Sequence, residues 1–157
     1  MLFRSALVET GLSGNRLELE ITEGVLIADS NAALSVLRHA KALGVRIAMD
    51  DFGTGYSSLS YLQSFPFDKI KIDRSFISNV DSNPHSAGIV RGVLGLAHGL
   101  DLPVLAEGVE TQQQLAFLKK EGCEEVQGYL MGRPRPIEEY ADWIAGDALP
   151  DVSDAVA

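Results

Sequence analysis

Short runs of alternating apolar and polar residues recur along the chain, separated by longer stretches of helical period. In Leu17 to Thr22 (LELEIT), Leu17, Leu19 and Ile21 share one face while Glu18, Glu20 and Thr22 share the other. Such alternation describes a strand whose two faces meet different surroundings. It returns in Val45 to Asp50, where Val45, Ile47 and Met49 oppose Arg46, Ala48 and Asp50. In Lys69 to Asp73, Ile70 and Ile72 oppose Lys69, Lys71 and Asp73. Pro103 to Glu107 and the weaker Glu124 to Tyr129 complete the set. Helices are expected over Asn31 to Leu43, Ser57 to Gln63, Ser86 to His98 and Gln112 to Glu121. Gly44, Gly99 and Gly122 stand where a left-handed residue closes a helix, and Thr111 with Gln114 has the spacing of a capping box. A last helix is expected from Pro136, packing through Ile137, Tyr140, Ala141 and Ile144.

Strand followed by helix, repeated in this way, calls for parallel strands joined by crossover helices, so the fold class is α/β. No internal repeat, low-complexity run or linker divides the chain. The stretch GDALPDVSDAVA, residues 146–157, has no period and reads as a flexible tail.

With 157 residues, 46% of them hydrophobic, the chain can bury a core, and its one cysteine, Cys123, excludes an internal disulfide framework. Thirteen Lys and Arg against 22 Asp and Glu give a net charge of -9, which argues against a nucleic-acid polymer or an anionic membrane as partner. No run reaches the roughly 18–20 apolar residues that a membrane span needs. Arg4 and Glu9 interrupt the N-terminal stretch where a signal peptide would be uniformly apolar. A soluble, cytoplasmic segment without membrane contact is the expectation.

The chemistry lies in the charged residues of the strands, because parallel strands covered on both faces read as continuous apolar runs. Here a polar group stands at or near the carboxyl end of every strand, where α/β barrels and doubly wound sheets place their active sites. Glu20, Asp50 with Asp51, Lys71 with Asp73, Glu107 and Gln127 would meet on one rim. Clustered carboxylates repel one another unless cations neutralise them, and oxygen donors without His or Cys suit Mg²⁺ or Mn²⁺ rather than zinc. Adjacent Asp50 and Asp51 suit a two-metal site, in which one carboxylate bridges the ions while its neighbour holds the second. The loop DDFGTGYSSL, residues 50–59, is neither a P-loop nor a dinucleotide fingerprint and reads as a mobile active-site loop.

Blander readings stand beside these. Glu20 or Lys71 taken alone could be a structural ion pair inside a barrel, and a lysine at a strand end could form a Schiff base. Tyr56, Ser57 and Ser58 could simply start the helix after the loop. His39, His85 and His98 show no metal-ligand spacing, Cys123 reads as a small buried hydrophobe, and Trp143 as a packing anchor.

The blocks EITE (20–23), DDFGTGYSSL (50–59), KIDRSF (71–76), AEGVET (106–111) and QGYL (127–130), in that order and spacing, resemble the EAL-domain phosphodiesterases, which hydrolyse cyclic di-GMP to linear pGpG. The resemblance covers nearly all of residues 5–145. It implies a (β/α)₈ barrel of the TIM type carrying two Mg²⁺ or Mn²⁺ ions. Glu20 then matches a ligand of the first ion and Asp50 a bridging ligand, with Asp51 and Glu107 serving the second. Lys71 matches the lysine that orients or deprotonates the attacking water, and its carboxylate surroundings favour orientation. Glu23 matches the residue that anchors the DDFGTG loop, and Gln127 and Asp73 line the substrate side. The family's Glu-Ala-Leu signature strand and its metal-binding Asn do not occur in these 157 residues, so about five of eight strand–helix units are expected, in a partial domain over 1–145. Cyclic di-GMP is the expected ligand, with a homodimer or upstream sensory domains as partners. An inactive module that binds cyclic di-GMP or a protein is the alternative.

Overall fold

The computed structural model describes residues 2–54 and 59–140. Helix α1 (Leu2–Thr10) leads through a 3₁₀ turn (Gly14–Arg16) into β1 (Glu18–Thr22). Two helices, α2 (Glu23–Ala28) and α3 (Ser30–Ala42), precede β2 (Arg46–Phe52), and α4 (Leu59–Ser64) precedes β3 (Lys69–Ile72). Then come α5 (Arg74–Ile77), α6 (Pro84–Gly99), β4 (Val104–Glu107), α7 (Gln112–Lys120), β5 (Glu125–Gln127) and a 3₁₀ turn at Ile137–Tyr140.

The five strands pair in parallel in the order β1-β2-β3-β4-β5. Each crossover therefore steps one strand in the same direction. Right-handed connections then place all the helices on one face, as in an arc of a (β/α)₈ barrel. The helix-facing side is the apolar parity: Ile47, Met49, Ile70, Ile72, Val104 and Ala106 are buried in one continuous core with Leu37, Val90, Val93 and Leu118 from the helices. The opposite side carries Glu18, Glu20, Arg46, Asp50, Lys69, Lys71, Glu107, Glu125 and Gln127. The interior face of the arc is thus charged, and the five strands do not leave an apolar inner surface uncovered.

Local signals place the helix ends. Asp29 accepts the Ala32 N–H at 3.0 Å to start α3, and Asn83 accepts those of His85 and Ser86 to start α6, with Pro84 just inside. The Thr111–Gln114 capping box forms as the spacing predicts. Gly44 and Gly122 take the left-handed conformation, but Gly99 does not. Helix α6 runs through Gly99, and Asp101 adopts φ 56° instead. The short helices α2 and α5, of six and four residues, are too short to show a period and are absent from the sequence expectation. Strand β2 outlasts its expected end at Asp50, because a bulge between Met49 and Phe52 lets Phe52 rejoin the ladder opposite Ile72. Of the helix expected from Pro136, residues 137–140 form the 3₁₀ turn. Ala141, Trp143, Ile144 and the tail lie outside the described residues, as do Tyr56, Ser57 and Ser58 of the loop.

Candidate active site

Period-two alternation aims Glu20, Asp50, Lys71 and Glu107 at one point over the carboxyl ends of β1 to β4. Lys71 Nζ lies 2.8 Å from Glu20 Oε1, 3.1 Å from Asp50 Oδ1 and 2.6 Å from Glu107 Oε1. Lys71 is 3% exposed, and its acidic partners form the solvent side of the cluster, with the Glu20 side chain half exposed. Burial alone would push the Lys71 ammonium toward deprotonation. The ion pairs that the ammonium makes with Glu107, Glu20 and Asp50 outweigh it and hold the pKa above the ordinary lysine value. This lysine is a fixed cation at neutral pH. The contact with Asp50 is an ion pair without hydrogen-bond geometry, so Asp50 Oδ1 remains a buried oxygen without a hydrogen bond.

Asp51 lies within the bulge with φ 55°, a backbone region that costs a non-glycine residue about 1 kcal/mol or more. The left-handed kink turns Asp51 out of the alternation, so two successive carboxylates serve the same rim. Burial raises the Asp51 pKa, and the neighbouring charges of Asp50 and Asp73 raise it further, against the pull of Lys71. Asp73 starts α5 by accepting the Ser75 N–H at 3.0 Å. Gln127 stands exposed on β5, register partner of Glu107. Glu23 opens α2 at 5% exposure, and among the described residues neither carboxylate oxygen is hydrogen-bonded.

The loop after β4 is held from below by Gln114. Its side-chain oxygen accepts the N–H groups of Glu110 (2.7 Å) and Thr111 (3.0 Å), while its amide donates to the Ser78 carbonyl at 3.1 Å. Gly108, at φ 70°, lets this loop leave Glu107 against α5; a Cβ there would fall 2.4 Å from that of Arg74.

Below the Lys71 cluster lies a second charged layer. Lys69 reaches Glu125 on β5 at 2.7 Å and Glu18 on β1 at 3.7 Å, and Arg46 closes on Glu18 at 3.6 Å. The sequence shows the parity of these residues. Their pairing across the arc was missed, and its signal is that the polar face continues two residues upstream of each rim residue.

The donor set of Glu20, Asp50, Asp51 and Glu107 consists of hard carboxylate oxygens, which fits a Mg²⁺ or Mn²⁺ ion. Among the described residues no group of three such side chains is placed to hold a metal ion, and the point on which Glu20, Asp50 and Glu107 converge is taken by Lys71 Nζ. The carboxylates that would receive an ion are those turned toward Lys71, and Asp50 Oδ1, buried without a hydrogen bond among the described residues, has the Lys71 ammonium 3.1 Å away as its counter-charge.

Residues 1–134 match the family model for the EAL domain. An uncharacterized signaling protein of Caulobacter vibrioides is 59% identical over 147 residues, covering 93% of this chain and 18% of its own length. MucR of Pseudomonas aeruginosa, a bifunctional diguanylate cyclase/cyclic di-GMP phosphodiesterase, is 45% identical over 90% of this chain and 21% of its own length. Its phosphodiesterase structure in complex with c-di-GMP superposes with a TM-score of 0.83 over 87% of this chain and 55% of that one. A manganese/cy-diGMP complex of Klebsiella pneumoniae BlrP1 is 34% identical with a TM-score of 0.79, over 85% of this chain and 34% of that one. The chain spans about a fifth of the length of these curated relatives. Matched over most of its length in sequence and in fold, the chain belongs to the EAL domain family.

Proposed function

We propose that this chain carries part of a metal-dependent phosphodiesterase centre that hydrolyses cyclic di-GMP to linear pGpG. The observation that carries the reading is the convergence of Glu20, Asp50 and Glu107 on one buried ammonium at the carboxyl rim of a parallel sheet. Bound there, two Mg²⁺ or Mn²⁺ ions would polarise the phosphodiester and acidify a water. Glu20, Asp50, Asp51 and Glu107 would hold them, with Asp50 between the two. Lys71, protonated at neutral pH, has no lone pair with which to accept a proton. It orients the water through its N–H donors and offsets the charge that gathers on the phosphoryl oxygens. Asp73, between β3 and α5, and Gln127 on β5 face the substrate, and Glu23 holds the loop that begins at Asp50. We further propose a cytoplasmic setting, a family domain over 1–145 with a tail beyond it, and a homodimer or sensory domains as partners. No described helix is long and apolar enough to cross a membrane.

The test is chromatographic detection of pGpG from cyclic di-GMP with Mg²⁺ or Mn²⁺. Metal-dependent product is expected, reduced at least 100-fold in Glu107→Ala. Binding without turnover is the second reading, favoured by the absence of a ready acidic cage among the described residues. It gives equal cyclic di-GMP affinity with and without metal, and no pGpG.

A further inference from the structure

Beneath the rim, the same face of the sheet carries a second set of charges to which the hydrolysis gives no role. Lys69 stands on β3 two residues before Lys71, Glu18 on β1 two before Glu20, and Glu125 on β5 two before Gln127. The Lys69 ammonium donates to Glu125 Oε2 at 2.7 Å and lies 3.7 Å from Glu18 Oε2, with 12% of the side chain exposed. Arg46 on β2 approaches the same Glu18 oxygen at 3.6 Å, so that buried oxygen lies between two cations without a hydrogen bond among the described residues. In the described sheet β1 and β5 are the outer strands and β3 the middle one. Lys69 therefore ties both edges of the arc to its centre.

These pairs do not follow the ladder. Through Ala48, Lys69 stands level with Glu20 and yet pairs with Glu18; through Leu105, Glu125 stands level with Lys71 and yet pairs with Lys69. Each pair is offset by two residues across two strands, the stagger of tilted barrel strands, whose interior layers draw side chains from alternate strands. Such layers are normally filled by bulky apolar residues, and an apolar layer of similar volume is often as stable as a buried ion pair. What the charges add is register. A strand that slips by one residue turns its apolar face to the wrong side, but a slip of two keeps every residue on its own face. The alternation in β1, β3 and β5 therefore leaves slips of two unopposed. Charge opposes them: such a slip of β5 would set Gln127 or Cys123 against Lys69, and one of β1 would set Thr22 against Lys71 or Arg16 against Lys69. We propose that Lys69, with Glu18 and Glu125, is a register brace and a positioning residue, which fixes the stagger of β1 and β5 and so sets Glu20 and Gln127 against Lys71. What that placement serves rests on the hydrolysis reading above.

The experiment reads the rim in variants of the full gene product. Lys69→Met removes the brace and Lys69→Arg keeps its charge. Glu18→Leu, Lys69→Met and Glu125→Leu combined make the layer apolar and leave no buried charge unpaired. The first readout needs neither metal nor turnover: the proton–nitrogen NMR signal of the Lys71 ammonium, which its carboxylate partners shield from exchange with water. The signal is expected to persist in Lys69→Arg and to broaden away in Lys69→Met and in the apolar variant. In the second readout, Mn²⁺ affinity is expected to fall roughly tenfold in the same two variants and to stay within about twofold in Lys69→Arg, as loss of a group that supports a metal ligand implies. The β5 arm separates from the β1 arm: Glu125→Leu is expected to weaken cyclic di-GMP binding roughly tenfold while Mn²⁺ affinity holds, because Gln127 moves and Glu20 does not. The apolar variant is expected to match the native melting temperature while its rim stays altered, which a merely structural layer would not produce. A folded Lys69→Met or apolar variant with the native ammonium signal and native Mn²⁺ affinity overturns the brace. So does a loss in Lys69→Arg equal to that in Lys69→Met. Should neither uncharged variant fold, unchanged cyclic di-GMP binding in Glu125→Leu overturns it. Absence of pGpG from the native protein sinks the hydrolysis reading alone, since the ammonium signal still decides the brace.

Discussion

Lys71 does the work of a counter-ion for three carboxylates. Removing it leaves like charges facing one another at the rim, and breaking a buried pair of this kind typically costs about 3–5 kcal/mol. Lys71→Met is therefore expected to lower the melting temperature markedly, and Mg²⁺ is expected to restore more stability to the variant than to the native chain. Thermal unfolding with and without Mg²⁺ measures both; equal stabilisation of the two proteins would contradict a shared cation site. Cys123 offers a separate test by pH. Burial raises its thiol pKa, against hydrogen bonds to the backbone around Ala106 and Glu125. A folded thiol that keeps its proton above the unfolded value contributes stability that declines as pH rises past the ordinary thiol range. At pH 8 the native chain is expected to resist a thiol reagent that labels it fully in urea, and rapid labelling of the native state would contradict the burial.

At the scale of elements, the loop after β4 is held by the cap of the helix that follows it. The Thr111 hydroxyl accepts the Gln114 N–H while Gln114 holds the N–H groups of Glu110 and Thr111, so α7 and the placement of Glu107 share one device. Thr111→Ala is expected to cost about 1 kcal/mol in chemical denaturation. Gly108→Ala is expected to cost more, because it adds backbone strain at φ 70° to a collision with Arg74. A Gly108→Ala variant of native stability would refute the close approach. The capping box was legible because its residues are adjacent and its chemistry is local. Gly99 misled because α6 keeps it as its last helical residue and the left-handed position falls two residues later, at Asp101. The bulge that turns Asp51 depends on the ladder with β3, which no local pattern around Asp51 records.

Across the whole molecule, the two faces of the sheet could be read directly from the sequence, since each residue's side follows from its place in a period of two. The convergence on Lys71 followed from the same parity once the strands were taken as parallel. Which charges pair across the arc, such as Lys69 with Glu18 and Glu125, depends on strand order and register, and only the folded chain shows it. The same holds for Tyr129 and Arg133, which meet through a turn pinned to Val109. The acidic surplus of the chain gains a local meaning: Glu20, Asp50, Asp51, Asp73 and Glu107 gather at one end of the sheet with Lys71 as the cation buried among them. We propose that this carboxylate rim takes divalent ions. It is tested most directly by titrating Mn²⁺ into the protein and following the loss of the free-ion paramagnetic resonance signal. The account predicts saturable binding that is weakened at least tenfold in both Asp50→Asn and Glu107→Gln. Affinity unchanged by either substitution, or no saturable binding at all, would contradict it.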